Sequence, residues 1–273
     1  MSFDSRISEI FEKYRDAHIA LMSFVRDVER SFEDISRQHH ELIGKLDAAD
    51  EPPSSEEQTP TPEGSIRLEL TETELTTIRK AMDLKTRILR RYPDLLVRSA
   101  FIYSVALFDG FLADAFCTVL SYRPEVMSTS KKQLSYDSII RLHRSNELIQ
   151  FMATREINEI SYGSVRDQAR YFQERFGVDL AQSGVDITHL TEIRATRNVL
   201  VHNNGIVNSV YLEAVPGSTY KLGDTLNLTT SDVAKKGGEL LTVVKFVRDV
   251  IVEKFGTLGR DGKSMASTSS EGQ

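Results

Sequence analysis

The sequence predicts an all-α fold with one small β element, and three observations carry that prediction. Apolar residues recur every three or four positions through most of the chain, the period of a helix that buries one face. Residues 3 to 46 contain a single glycine, Gly44, and no proline. Alternation at a period of two is confined to short runs near residue 66 and between residues 211 and 228.

The first helix follows from its stripe. Ile7, Ile10, Tyr14, Ala17 and Leu21 lie at three–four spacing, and Val25, Val28, Phe32, Ile35, His39, Leu42 and Leu46 resume it. Two consecutive steps of four, from Ala17 through Leu21 to Val25, make a stutter in the seam. Arg6, Glu9, Lys13, Arg26 and Glu29 fall off the stripe. Residues 1–46 therefore read as a coiled-coil-like arm, one long helix or a helical hairpin, whose apolar seam needs a partner. That partner is either a second molecule or the rest of this chain.

Residues 47–64, DAADEPPSSEEQTPTPEG, read as a disordered linker, because Pro, Ser, Thr and acidic residues cannot offset chain entropy by burial. The main domain is then expected over 65–256. Ile66, Leu68 and Leu70 alternate as in a short strand, and Thr71 with Glu74 forms a capping-box pattern. The helix it opens is expected to end near Tyr92, before Pro93. Its Arg79, Lys80, Lys85, Arg87, Arg90 and Arg91 stand against Asp83. Such a face is either solvated or in contact with phosphates. Leu95 to Leu120 is apolar on nearly every side, as in the central helix of a bundle. Ile102, Val105, Asp109, Leu112, Phe116 and Val119 form one seam in it, with a carboxylate where an apolar side chain is expected. A buried carboxylate needs a partner or a proton, and Arg197, His202, a tyrosine hydroxyl or a backbone donor would serve.

Further helices are expected over Tyr136 to Thr154 and Ser164 to Phe176, the latter capped by Gly177. Tyr211–Val215, Tyr220–Leu222 and Thr225–Leu228 alternate, with Gly223-Asp224 as a hairpin turn. Ser231-Asp232 opens a last helix with Val233, Leu240, Leu241, Val244, Val247 and Ile251 inward, stopped by Gly256 and weakened early by Gly237-Gly238. Residues 257–273 read as a disordered polar tail.

Composition limits the function classes. The formal charge is −6, and the linker holds six acidic residues with no Lys or Arg, so the remainder sums to zero. A lone Cys117 excludes an internal disulfide and a cysteine-based zinc site. His143 and His189 have no ligand partners at metal spacing, and no metal or other cofactor is expected. Asp109 and Asp114 interrupt the apolar run from Phe101 to Leu120, which argues against a membrane span. The expected location is the cytoplasm.

The most informative stretch is Asp186 to Tyr211. Asp186 or Thr188 can cap a helix there, and Asn203-Asn204-Gly205 can close it in the left-handed conformation. Leu190, Ile193, Arg197 and Leu200 form its stripe, so Arg197 occupies an apolar slot. Asn198 and His202 are four apart and share a face. Arg197 and His202 are separated by roughly 140° around the helix, within the reach of a long side chain. A planar, permanently charged donor beside a histidine, the side chain type that titrates near neutrality, suits a phosphodiester. Alternatively, Arg197 reaches past the core to solvent and His202 is a helix-end cation.

Arg197-Asn198 followed by His202 resembles the R-x4-6-H motif of the HEPN superfamily (higher eukaryotes and prokaryotes nucleotide-binding domains), in which a polar residue directly after the Arg is usual. The resemblance covers residues 95 to 255. It implies a HEPN-like helical bundle and a metal-independent endoribonuclease of toxin–antitoxin, phage-defence or RNA-processing systems. It further implies a homodimer that sets two motifs across a two-fold axis. His202 would then move protons, Arg197 would steady the phosphate, Asn198 would position either, and Asp109 would orient Arg197 or His202. Arg79, Lys80, Arg87, Arg90 and Arg91 would be RNA contacts, and residues 1–46 a docking arm for an antitoxin or defence-complex partner. One toxin branch has Tyr two positions after the His, where this chain has Asn204. Other HEPN proteins only bind, so a non-catalytic scaffold is the alternative reading.

Overall fold

The structure, a computed structural model, describes residues 2–50, 71–128, 133–144 and 147–256. The described residues form eight α-helices: α1 (Phe3–Asp50), α2 (Glu72–Tyr122), α3 (Tyr136–Arg144), α4 (Leu148–Ser161), α5 (Val165–Phe176), α6 (Ile187–His202), α7 (Ser209–Ala214) and α8 (Thr230–Ile251). Short 3-10 turns stand at Pro124–Met127 and Leu180–Ser183, and a π turn at Val252–Gly256 follows α8. The all-α class holds.

The chain divides into two compact units, one of Met1–Met22 with Arg98–Gln273, the other of Ser23–Val97. That division differs from the expected order of arm, linker and domain. Ile7, Ile10, Phe11 and Tyr14, read as part of an arm, are core residues of the first unit. Their partners lie in their own chain: Phe3 meets Tyr122 edge-on at 5.5 Å between ring centroids, and Tyr14 meets Phe111 at 5.6 Å. The Arg248 guanidinium of α8 lies over the Phe11 ring at 4.1 Å. Residues 47–50 belong to α1, whereas the rest of the expected linker, the strand at Ile66–Leu70, and the expected tail lie outside the described residues.

In the first unit the centre is aromatic. Phe116 of α2 stacks on Phe172 of α5 at 3.9 Å and meets Phe176 at 4.6 Å. Around it α4 packs on α3 and α5, and α6 packs on α5 and α7. Helix α8 fits closely against α1 and α2 at Gly237, where an added Cβ would stand 3.0 Å from His18 Cε1 and 3.4 Å from Ser104 Oγ. The glycine that weakens α8 by propensity is what lets three helices approach. In the second unit, residues 23–50 of α1 run beside residues 72–97 of α2. Phe32 meets Tyr92 at 5.9 Å and His39 Nε2 lies 2.6 Å from Thr86 Oγ1. Thr86 gives its own proton to the Met82 carbonyl, which leaves the imidazole as donor.

Three expectations about elements are corrected. Helix α2 does not stop at Tyr92 but continues through Pro93 to Tyr122. An interior proline forfeits a hydrogen bond and costs on the order of 3 kcal/mol. Burial of Val97, Ala100, Phe101, Val105 and Phe108 just beyond it offsets that cost. The stretch expected to form one helix from Tyr136 to Thr154 is two, α3 and α4. The β-hairpin is absent among the described residues, and its first strand is α7. Asn208 caps that helix by accepting from the Tyr211 amide at 2.9 Å, and Pro216 follows its end. The alternation from 223 onward meets a different partner. Val207 N–H donates to the Asp224 carbonyl, Gly223 N–H to Val207 and Leu226 N–H to Gly205, around a lone antiparallel bridge between Ile206 and Thr225. The turn itself forms at Leu222-Gly223, with Gly223 at φ +88° as a type II turn requires.

Helix α2 is the one described helix long and apolar enough to cross a membrane by composition. Its apolar side chains from Val97 to Leu120 are largely core residues, and Asp109 and Asp114 interrupt it.

Candidate functional site

Helix α6 is written by its ends. Asp186 accepts from the Thr188 amide at 2.8 Å, and that bond holds its carboxyl below the usual carboxylate range. At the other end the Val199 carbonyl accepts from the amides of Asn203 and Gly205, with Asn204 at φ +51° and Gly205 at φ +78°. The expected Asn-Asn-Gly stop is therefore in place. Arg98 of α2 closes over it, donating to the Asn204 carbonyl at 3.1 Å. Between the ends, Leu190, Ile193 and Leu200 are buried as expected. Ala195 and Val199 bury a second face against Val207, Tyr211 and Leu226.

Arg197 stands between these faces. Its Nη1 donates to Asn198 Oδ1 at 3.0 Å, while its Nε is buried without a partner. Arg197 lines a groove of about 540 Å³. One wall of the groove is the turn from α4 to α5, residues 161–165, and the other is α6 with the start of α7. Asn198 and His202 line the same groove, so the three motif residues meet in one space. The lining contains Arg194, Arg197 and His202 and no carboxylate. Among the described residues Arg197 has no ion-pair partner within 4 Å, so the groove offers one permanent cation and His202 to an anion.

Asp109 is not in that wall. It lies behind α6, at a small apolar pocket with Val105, Leu112, Val165 and Ile193. Burial raises its carboxyl above the ordinary value, and the charges of Arg194 and Arg197 pull it back. The ion pair it makes is with Arg194, Oδ1 to Nη2 at 3.6 Å, and not with Arg197 or His202 as expected. Arg194 is one turn before Arg197 on the same side of α6; both line the groove, and Arg194 is the one within ion-pair distance of Asp109. The same Nη2 donates to the Ser161 carbonyl at 2.9 Å. Buried Gln168 donates from one amide nitrogen towards the carbonyls of Ile160, Ser161 and Gly163 at 3.2, 3.0 and 3.4 Å. Asp109 thus holds an arginine that, with Gln168, braces the far wall of the groove.

The basic residues expected to contact RNA belong to the second unit. Arg79, Lys80, Arg87 and Arg91 are exposed on α2, and Arg87 is paired with Asp83; the side chain of Arg90 lies outside the described ones. His143 is exposed, and His189 lies 3.5 Å from Glu239. Among the described residues no group of His, Cys, Asp and Glu is placed to hold a metal ion. Sequence reasoning missed Arg194, Gln168 and Tyr162. Arg194 was open to the same three-residue spacing argument as Arg197; the other two carry no local signal of a site. No protein-family model, curated protein or solved structure matches the chain.

Proposed function

We propose that this chain is a HEPN-type, metal-independent endoribonuclease, acting in the cytoplasm as a homodimer in a toxin or phage-defence role. The observation that supports the reading is the shared groove of Arg197, Asn198 and His202, cationic and free of carboxylates. Those groups suit a nucleophile already present in the substrate. The RNA 2′-hydroxyl lies beside its own phosphate and has the advantage of an intramolecular reaction. His202 takes the 2′-hydroxyl proton as the new P–O2′ bond forms. The P–O5′ bond breaks, and the protonated imidazole, or its copy in the second protomer, returns a proton to the leaving 5′-oxygen. Arg197 steadies the charge on the non-bridging oxygens, held in aim by Asn198. Asp109 acts at one remove, through Arg194.

The test is cleavage of single-stranded RNA by the purified full chain in EDTA. The expected products are a 2′,3′-cyclic phosphate and a 5′-hydroxyl. A 2′-deoxy substitution at the scissile nucleotide should block cleavage, and His202→Ala should abolish it without loss of fold. Activity that requires Mg²⁺, or that cuts the deoxy site equally well, would defeat the mechanism. Intact RNA, with harmless expression of both wild type and His202→Ala, would favour the alternative of a non-catalytic scaffold that docks a partner through residues 1–46.

A further inference from the structure

Tyr162 lies in the groove wall opposite the motif, at the end of α4, and is 92 % exposed. A phenol ring in water normally gains by covering its apolar faces, and this one is left bare beside two arginines and a histidine. The turn that carries it is fixed. The two N–H groups of the Gln168 amide face the carbonyls of Ile160, Ser161 and Gly163, Arg194 ties the Ser161 carbonyl, and Asp109 ties Arg194. A ring on a braced turn loses little freedom when something packs against it. Val210, also largely exposed, lies in the same lining on the α7 side.

We infer that Tyr162 is a base-stacking platform that holds one base of the RNA strand at the groove. The inference rests on the proposed ribonuclease reading and names a further binding residue of its site. An aromatic face next to cations that follow a phosphate backbone is how single strands are held without reading sequence. A duplex keeps its bases stacked on one another and offers none to the ring except at its ends. A flanking base on Tyr162 would set its neighbouring phosphate near Arg197 and His202.

The experiment measures binding by anisotropy of a fluorescein-labelled 12-nucleotide RNA, single-stranded or annealed to its complement, to the full chain. Wild type, Tyr162→Phe and Tyr162→Ala are compared, with oligomeric state followed by light scattering. Tyr162→Phe should bind the single strand as wild type does. Tyr162→Ala should weaken it roughly five- to a hundredfold, with the same dependence on salt, because no phosphate contact is lost. Duplex binding should be equal for all three. Unchanged single-strand binding by Tyr162→Ala, an equal loss on duplex, or loss of the dimer would each overturn the inference, the last by making Tyr162 an interface residue. Cleavage that survives with Tyr162 irrelevant leaves the ribonuclease reading standing and removes this one. Tyr162-dependent binding without cleavage does the reverse, and no binding to either RNA removes both.

Discussion

Arg194 Nη2 lies 3.6 Å from Asp109 Oδ1 and 2.9 Å from the Ser161 carbonyl oxygen, so one guanidinium joins the carboxylate of α2 to the turn that faces the motif. Both partners of the pair are mostly buried, at 19 % and 28 % side-chain exposure. Removing Asp109 strands a cation that is held away from water. Asp109→Asn is expected to cost about 1–3 kcal/mol, between the values of exposed and fully buried pairs. Pairing Asp109→Leu with Arg194→Met should recover part of the loss. Urea unfolding of Asp109→Asn, Asp109→Leu, Arg194→Met and the double variant checks this, and additive single and double effects would show that the two side chains are not coupled. Hydrogen exchange over 161–165 should rise in Arg194→Met.

Arg197→Lys keeps the charge and loses the planar fork. Cleavage is expected to fall at least tenfold while the melting temperature stays near wild type. Asn198→Ala, which removes the acceptor at 3.0 Å from Arg197 Nη1, should give a smaller fall. Lysine at wild-type rates would reduce Arg197 to a counter-charge, and unfolding of Arg197→Ala would make it structural.

The neighbouring glycines of α8 should respond in opposite directions. Gly238 is exposed with open space where a Cβ would go, so Gly238→Ala is expected to stabilise by about 0.5–1 kcal/mol through helix propensity. Gly237→Ala drives a methyl to 3.0 Å from the buried His18 ring, and overpacking of that kind costs about 1–3 kcal/mol. Thermal melts of the two variants decide the matter.

His18 gives a pH dependence with a definite sign. Burial lowers its imidazole below the ordinary value of 6.5, and its Nδ1 has no partner. The ring is stacked on Tyr14 at 6.0 Å and flanked by Ser104 and Gly237. The unfolded chain therefore binds the proton more readily than the folded one, and stability is full above pH 6.5 and falls as pH drops below it. The same slope in His18→Gln would assign the acid sensitivity elsewhere; denaturant midpoints at pH 5.5 and 7.5 make the comparison.

A chain cut down to residues 65–256 tests the division into units. It lacks Ile7, Ile10, Phe11 and Tyr14, each under 9 % exposed in the first unit. Each contributes about 1.5–3 kcal/mol of burial, and their combined removal is comparable to the whole stability of an ordinary domain. The truncated chain is expected to be insoluble or to lack a cooperative melt, where an independent arm would leave it folded.

What the sequence determined by itself is whatever a few neighbouring residues can decide. Ser164 and Gly177 bound α5, Asp186 and Asn203-Asn204-Gly205 bound α6, and Thr229 with Asp232 forms the capping box of α8 two residues before the expected start. Caps act over four residues and stripes over one turn, so both are legible in a line of text. The placement of Arg197, Asn198 and His202 near one helix end follows from the same rules. The tertiary structure alone decided what depends on distant partners. Burial beyond Pro93 overrode a proline that locally ends a helix. Asn208 and the core around Tyr211 turned an alternating run into α7 and left residues 223–226 to pair with 205–207. Asp109 needed a cation, and several were chemically equal in the sequence. The packing of α2 against α6 chose Arg194, whose Nη2 comes within 3.6 Å of Asp109 Oδ1, and a contact between residues far apart in the chain leaves no local period to read.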